Sequence, residues 1–348
     1  MARALFLAER GRGTTAPNPV VGAVVVNTDG IVVGQGAHRV AGGPHAEVYA
    51  LDAAGAAARG ATLYCTLEPC SHTGRTGPCA ERVAAAGIAR VVVALEDPNP
   101  RVAGGGFAYL RARGVEVVTG VERVEAARQN APFVTWMTRQ RPHVTMKVAV
   151  SADGFVGVER GRATLTGLAM DRRMHQQRAA VDAMAVGSST VLADNPMLTA
   201  RLAYRQRPLT RVVFDRRARV TPTARLFGTL AAGPVILVVD ADRVASSAAD
   251  RLRAVGALVV GIAPEASIAA ALHELASREV LALLVEGGPT LQRAFWDAGV
   301  VDRVQIIETP TMLGSGVAGF LPSCGQAAVT TRRHGADVLK EWDVHRAD

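Results

Sequence analysis

From "VVGAVVV" (20–26) to "VLALLVEGG" (280–288), short valine-rich apolar runs alternate with segments of helical composition along most of the chain. Such alternation predicts α/β sheets with helices packed on their faces. In the first 120 residues, "VVGAVVV" and "GIVVGQG" (30–36) flank "NTDG" and read as a hairpin. Strands are expected at 61–67, 89–95 and 115–120, and helices at 45–58, 79–87 and 104–114, which together make a compact α/β/α domain with a mixed sheet. A single helical stretch, 123–140, ends at "RP", because proline disfavours helix in the residue before it. The boundary is therefore set at 141, with domains of 1–141 and 142–348, as a 348-residue chain exceeds the usual size of one core. The second part predicts strands at 143–151, 182–187, 210–215, 234–240, 257–262 and 280–288. Helices are expected near 168–180, 243–254 and 266–277 and from Thr290, with ligands at the carboxyl ends of the strands.

Composition narrows the functional classes. A hydrophobic fraction of 49% with 20% charged residues fits a globular protein and argues against disorder or a coiled coil. No apolar run approaches the roughly 18–20 residues that cross a bilayer, and no secretory signal is evident, so a cytoplasmic protein without a membrane partner is expected. The net charge of +8 is almost wholly arginine, since Lys147 and Lys340 are the only lysines. Those arginines are scattered, without the basic block of a nucleic-acid-binding segment, so the charge fits small phosphorylated ligands or a plain solvated surface equally.

Chemistry concentrates around "PHAEVYAL" and "LEPCSHTGRTGPC". His45, Cys70 and Cys79 supply one imidazole and two thiolates, a soft set that suits tetrahedral zinc with one position left for water. Four cysteines in so long a chain do not make a disulfide framework, and Cys65 and Cys324 read as packing residues. Glu47 follows His45 by two positions. On a helix that spacing turns the two side chains about 200° apart, which lets Glu47 approach a water at the metal and move protons. The pattern H-A-E with P-C and a later cysteine is the zinc deaminase signature. A closed structural site with His72 as a fourth ligand is the competing reading.

Eight residues, rather than two, separate the paired cysteines. With "APNPVVGAVVV", "TLEPCSHTGRTGPC" and "EDPNPRVAGGG" in this order, the first part resembles the deaminase half of the bifunctional riboflavin-biosynthesis deaminase/reductase family. "MKVAVSADG", "VGSSTVLADNPMLTAR", "RVVFD", "VEGGPTL" and "LGSG" resemble its reductase half. The resemblance implies a cytidine-deaminase-like domain followed by a dihydrofolate-reductase-like one. It further implies zinc-dependent hydrolytic deamination of 2,5-diamino-6-(5-phosphoribosylamino)pyrimidin-4-one. Reduction by NADPH of the ribosyl group of 5-amino-6-(5-phosphoribosylamino)uracil to ribityl would follow, in a homo-oligomer.

By the same resemblance, Asn18, His38, Arg75, Asp97 and Asn99 contact the deaminase substrate, with Arg75 as a hook for its phosphate. Lys147, Asp153, Arg178, Leu198, Arg201 and Glu286 surround the reductase substrate, Arg178 and Arg201 as phosphate or ribose ligands. Val150, Thr190, Asp194 and the run Gly288, Pro289, Thr290, Leu291, Gln292, Arg293 and Ala294 hold NADPH. No G-x-G-x-x-G follows a strand, so the glycines of "VEGGPTL", leading from a strand into a helix, are the expected pyrophosphate seat. Thr164 takes a place the family fills with tryptophan beside the cofactor. Arg216, after "RVVFD", is the expected ligand of the 2′-phosphate, which a guanidinium grips bidentately. Two alternatives remain open: a deaminase whose second domain is not catalytic, and a nucleic-acid deaminase of the tRNA-editing kind.

Overall fold

The computed structural model describes residues 1–71, 77–99, 103–159, 161, 163–263 and 268–344. They form two compact units, Met1–Gln140 and Arg141 onward. The first unit runs α1 (Ala2–Ala8), β1 (Gly22–Val26), β2 (Val32–Ala37), α2 (Ala46–Ala54), β3 (Thr62–Leu67), α3 (Cys79–Ala85) and β4 (Arg90–Leu95). It closes with α4 (Gly105–Arg111), β5 (Glu116–Thr119), α5 (Arg123–Gln129) and α6 (Ala131–Arg139). Its five-stranded sheet has the order β2-β1-β3-β4-β5, antiparallel from β2 to β3 and parallel from β3 to β5.

Strand alternation sorts side chains to two apolar faces, as the two-residue period requires. Val25, Leu63, Val91 and Val93 pack with Ala50 and Leu51 of α2, Val83 of α3, and Phe107 and Leu110 of α4. On the other face, Val24 meets Ala4 and Leu7 of α1, and Ala94 meets Ala126 of α5. Cys65 is fully buried in the first of these cores, as a packing residue should be.

The stretch 123–140 differs from the single helix read in the sequence: it breaks at Asn130, where α6 begins anew with Pro132 in its first turn. The Asn130 side chain pairs like a strand edge, accepting from the Val20 N–H and donating to the Val20 carbonyl, both at 3.0 Å. The helix expected at 45–58 likewise ends at Ala54 and is followed by a 3₁₀ turn, Gly55–Ala58.

The second unit contains β6 (His143–Val150), β7 (Phe155–Gly157), α7 (Leu168–Ala180), β8 (Ala183–Gly187), α8 (Ser188–Asp194), β9 (Thr210–Phe214) and β10 (Val235–Asp240). After these come α9 (Ser247–Ala254), β11 (Leu258–Ile262), α10 (Ile268–Ala276), β12 (Ala282–Gly287), α11 (Pro289–Asp297) and β13 (Arg303–Glu308). The last strands are β14 (Val317–Ala318), β15 (Thr330–His334) and β16 (Asp337–Asp343). The nine-stranded sheet has the order β11-β10-β9-β8-β12-β6-β13-β16-β15. It is parallel from β11 to β13, while β16 and β15 add antiparallel pairs at one side. Along β8, Ala183 and Ala185 face one core whereas Met184 and Val186 face another, so the parallel strands are covered on both sides.

One contact in the first unit controls everything built on α2. Gly34 and Gly36, two residues apart on β2, face the backbone of α2, and a methyl on either would collide with the carbonyl oxygen of Ala50 or Ala46. Close packing of this kind has no room to relax. Gly36→Ala should therefore cost about 1–3 kcal/mol of stability, the usual penalty of overpacking, and displace the start of α2. Chemical denaturation, together with loss of metal affinity at His45, checks this.

Candidate functional site

The start of α2 brings together the residues that carry the chemistry. His45 is the residue just before the helix and has extended backbone (φ −74°, ψ 166°), whereas Glu47 lies in the first turn. The helical angle expected between them therefore does not apply, because His45 is not on the helix. Cys79 opens α3. Cys70 lies beyond β3, and its carbonyl accepts the Ala80 N–H at 3.0 Å.

His45 Nδ1 is 3.2 Å from Cys79 Sγ and 3.6 Å from Cys70 Sγ, and the three ligand atoms all lie within 4.8 Å of one another. The Cys79 N–H points at Cys70 Sγ at 3.4 Å. Hydrogen bonding from Cys79, with His45 beside it, holds the Cys70 thiol well below the usual thiol range, while the Cys79 thiol is pushed up as the proton-bearing partner. A converging imidazole and two sulfurs, one already favoured as thiolate, is a donor set that fits zinc. Glu47 is 3% exposed, and burial pushes its carboxyl up to about 7. A carboxyl in that range can both accept and return a proton near neutrality.

A cleft of about 380 Å³ opens on this cluster, and Asn18, His38, His45, Glu47, Cys70, Asp97 and Asn99 all line it. The structure thus gathers residues spread over 82 positions. His38 is buried, and burial lowers its pKa. Its Nδ1 donates to the Pro44 carbonyl at 3.0 Å, so Nε2 accepts from Asn18 Nδ2 at 3.1 Å. That commits the nitrogen of the Asn18 amide and leaves its oxygen for a ligand. Asp97 Oδ1 accepts the Asn99 N–H at 2.8 Å, folding the "DPNP" turn. Arg75 and His72 lie outside the described residues.

Two sets of lining residues escape the motif reading. Phe133, Trp136 and Met137 of α6 form an apolar wall. Their i, i+3, i+4 spacing marks one helix face, the only signal they carry. Glu68, inside "EPC", also lines the cleft, and its carboxylate is bonded to backbone N–H groups between Asp97 and Phe107.

In the second unit, several predicted residues gather around Glu286 on β12. Arg178 of α7 donates from Nε and Nη2 to the two Glu286 oxygens, each at 2.6 Å, and from Nη1 to the Thr199 carbonyl at 3.2 Å. Its guanidinium is therefore engaged by Glu286, a pairing that the sequence does not announce. Lys147 Nζ lies 3.7 Å from Glu286 Oε2. Burial alone would raise the Glu286 carboxyl, but Arg178 and Lys147 outweigh it and hold it at about 2.

Gly187, Gly287 and Gly288 meet at the carboxyl ends of β8 and β12. Gly287 has φ +140°, and a methyl on Gly288 would stand 3.4 Å from Thr190 Oγ1. Three adjacent positions without side chains make a backbone cradle of the kind a dinucleotide needs. α11 starts there: Gly288 precedes it, Pro289 is its first residue, and Thr290 is exposed. Leu291 is buried in the core, and Gln292 donates to the Lys147 carbonyl at 2.9 Å. Arg293 lies over the Phe320 ring, and Ala294 is half-buried. Val150 and Leu198 are core residues, the latter with φ +56°, so their side chains are committed to packing.

Asp153 is tied to Ser151 Oγ and to the N–H groups of Leu313 and Gly314, which shapes a turn. Thr164 is exposed in the segment before α7, Arg201 is exposed, and Asp194 ends α8. Arg216 Nε bonds Asp240 Oδ1 at 2.7 Å, linking the carboxyl ends of β9 and β10.

Comparisons with known proteins match both units. The family described as "Cytidine and deoxycytidylate deaminase zinc-binding region" covers residues 1–95, and "RibD C-terminal domain" covers 142–337. The riboflavin biosynthesis protein RibD of Bacillus amyloliquefaciens is 41% identical over 325 residues, spanning 93% of this chain and 87% of its own. The structure of Acinetobacter baumannii RibD superposes with a TM-score of 0.85 at 34% identity, covering 99% of this chain and 98% of the other. A diaminohydroxyphosphoribosylaminopyrimidine deaminase/5-amino-6-(5-phosphoribosylamino)uracil reductase from Thermotoga maritima gives 0.85 at 33% identity, with 99% and 97% covered.

The ion cluster at Glu286 has a pH signature. Its carboxyl titrates at about 2 in the fold against an ordinary 4.5, so the stability it adds is complete above about pH 4.5 and disappears as pH falls toward 2. Arg178→Met should cost about 3–5 kcal/mol near neutral pH, because it strands a buried carboxylate, and should flatten this acid dependence. Denaturant unfolding between pH 2 and pH 7 measures both.

Proposed function

This chain belongs to the RibD family of riboflavin-biosynthesis proteins, bifunctional deaminase/reductases that use zinc and NADPH, and we propose how its own residues divide the two reactions. The observation that carries the reading is the convergence of His45 Nδ1 with the sulfurs of Cys70 and Cys79 at a cleft that Glu47 shares. In the first unit the substrate is 2,5-diamino-6-(5-phosphoribosylamino)pyrimidin-4-one. His45, Cys70 and Cys79 hold zinc, which when bound supplies an activated water. Glu47, buried beside these ligands with its carboxyl raised to about 7, would hold and pass on the proton that the departing amine needs.

Asn18 offers its amide oxygen to a donor on the heterocycle edge, since His38 occupies its nitrogen. Phe133, Trp136 and Met137 cover the ring and exclude water, while Asp97, Asn99 and Arg75 serve the ribose phosphate. In the second unit, NADPH supplies the hydride that reduces the ribosyl group of 5-amino-6-(5-phosphoribosylamino)uracil. Thr190, Asp194 and the segment from Gly288 to Ala294 hold it at the glycine cradle, with Val150 and Thr164 alongside. Lys147 and Glu286, oriented by Arg178, face the sugar, with Asp153, Leu198 and Arg201 around it. Arg216, steadied by Asp240, selects the 2′-phosphate of NADPH.

Among the described residues no helix is long and apolar enough to cross a membrane. On this reading the protein is a cytoplasmic homo-oligomer that acts on phosphorylated pyrimidines and not on nucleic acid.

A coupled assay on the phosphorylated pyrimidine tests the assignment. Glu47→Ala should lower deamination by about 10²–10⁴-fold while keeping about one zinc per chain and full reduction of supplied intermediate. Cys79→Ser should lose the metal as well. Retention of deamination by either variant would remove the proposed site. Arg216→Ala should raise KM for NADPH about tenfold and leave NADH kinetics unchanged, and steady-state rates with both cofactors decide that point.

A further inference from the structure

We propose that Glu68 is a positioning residue for deamination: its buried carboxylate ties Asp97 to the start of α4 at the cleft and thereby sets the affinity for the substrate. The inference rests on the deaminase reading above. Glu68 is 3% exposed, and its backbone N–H donates to the Leu95 carbonyl at 2.9 Å, extending the β3–β4 pairing by one bond. Its Oε2 accepts from the N–H groups of Gly104 at 3.0 Å and Asp97 at 3.3 Å. Oε1 accepts from those of Gly106 at 2.9 Å and Phe107 at 3.3 Å.

Four donors saturate the acceptor capacity of a carboxylate, about four lone-pair sites in all. Glu68 therefore has nothing left to offer a ligand, although it lines the cleft. It acts on the backbone instead. Asp97 is the first tied point, and its Oδ1 accepts the Asn99 N–H at 2.8 Å, closing the turn that carries both groups. The Asp97–Asn99 turn and the first turn of α4 are thus fastened to one side chain.

Glu68 also stands two residues before Cys70. At Gly106 the segment approaches so closely that a methyl would collide with the Pro69 carbonyl, and one on Gly105 would come 2.7 Å from Ser71 Oγ. Metal ligand and substrate segment are therefore held at one spacing by a carboxylate and by glycines. Glutamine cannot replace the carboxylate: its oxygen can hold one pair of N–H groups, but its NH₂ then opposes the other pair.

The test uses full-length, zinc-loaded E68Q. Three quantities are measured: kcat and KM for deamination of the phosphoribosylamino-pyrimidinone, zinc per chain, and NADPH oxidation with the deaminated intermediate. We expect KM to rise at least about tenfold with kcat within about threefold, the pattern of lost ground-state positioning, and zinc and reduction as in the parent chain. An unchanged KM, a loss confined to kcat, or a loss of zinc would each overturn the proposal. Should E68Q lack reductase turnover as well, and so not fold, G106A displaces the same segment from the other side and is judged by the same three outcomes. A parent chain without deamination would instead overturn the reading of the site on which the inference rests.

Discussion

The first site depends on how closely α2 lies against β2. Gly34 and Gly36 present no side chains to the helix, so its backbone rests directly on the strand. This sets where His45 and Glu47 emerge, one before the helix and one in its first turn. The antiparallel hairpin of β1 and β2 positions the helix, and the parallel strands β3 and β4 position the partners that meet it. Cys70 and Asp97 follow the ends of adjacent strands, and so stand side by side despite their separation in the chain. Ligands of parallel strands gather at such ends because the backbone opens there.

The second unit reaches a comparable order by different means. Its central strands are covered on both faces, so a charge placed among them must be paired or it is expensive. Glu286 is held by Arg178 and Lys147, and the three together make a rigid polar feature beside a backbone with little side-chain bulk. Two preorganised environments, one sulfur-rich and one ionic, thus occupy separate sheets of one chain.

Most of the strands and the metal ligands were legible in the sequence, because apolar periodicity and soft donors at fixed spacing are local signals. His45, Cys70 and Cys79 declare themselves by residue type together with their place in H-A-E and P-C. The α6 wall did not, since Phe133, Trp136 and Met137 make a stripe that serves equally for a core. Glu68 was visible only as part of a motif; its partners are backbone N–H groups, which have no identity in a sequence. Arg178 could be recognised as a cation, but Glu286 lies 108 positions away, so their pairing was hidden. The break at Asn130 was equally obscure, for it depends on a bond to Val20. β13, β15 and β16 passed unread; of these, β15 is polar along its length and offers no apolar alternation.

That polar strand has a consequence of its own. β15 is the last strand of the nine, and its outward backbone groups would otherwise invite another chain to continue the sheet. The segment reads "TTRRH", with Arg332 and Arg333 exposed side by side. Successive strand residues point to opposite faces, so each face of this border carries a cation, Arg332 beside Glu341 at 3.5 Å, and an identical strand approaching from another molecule meets like charge, which disfavours continuation of the sheet.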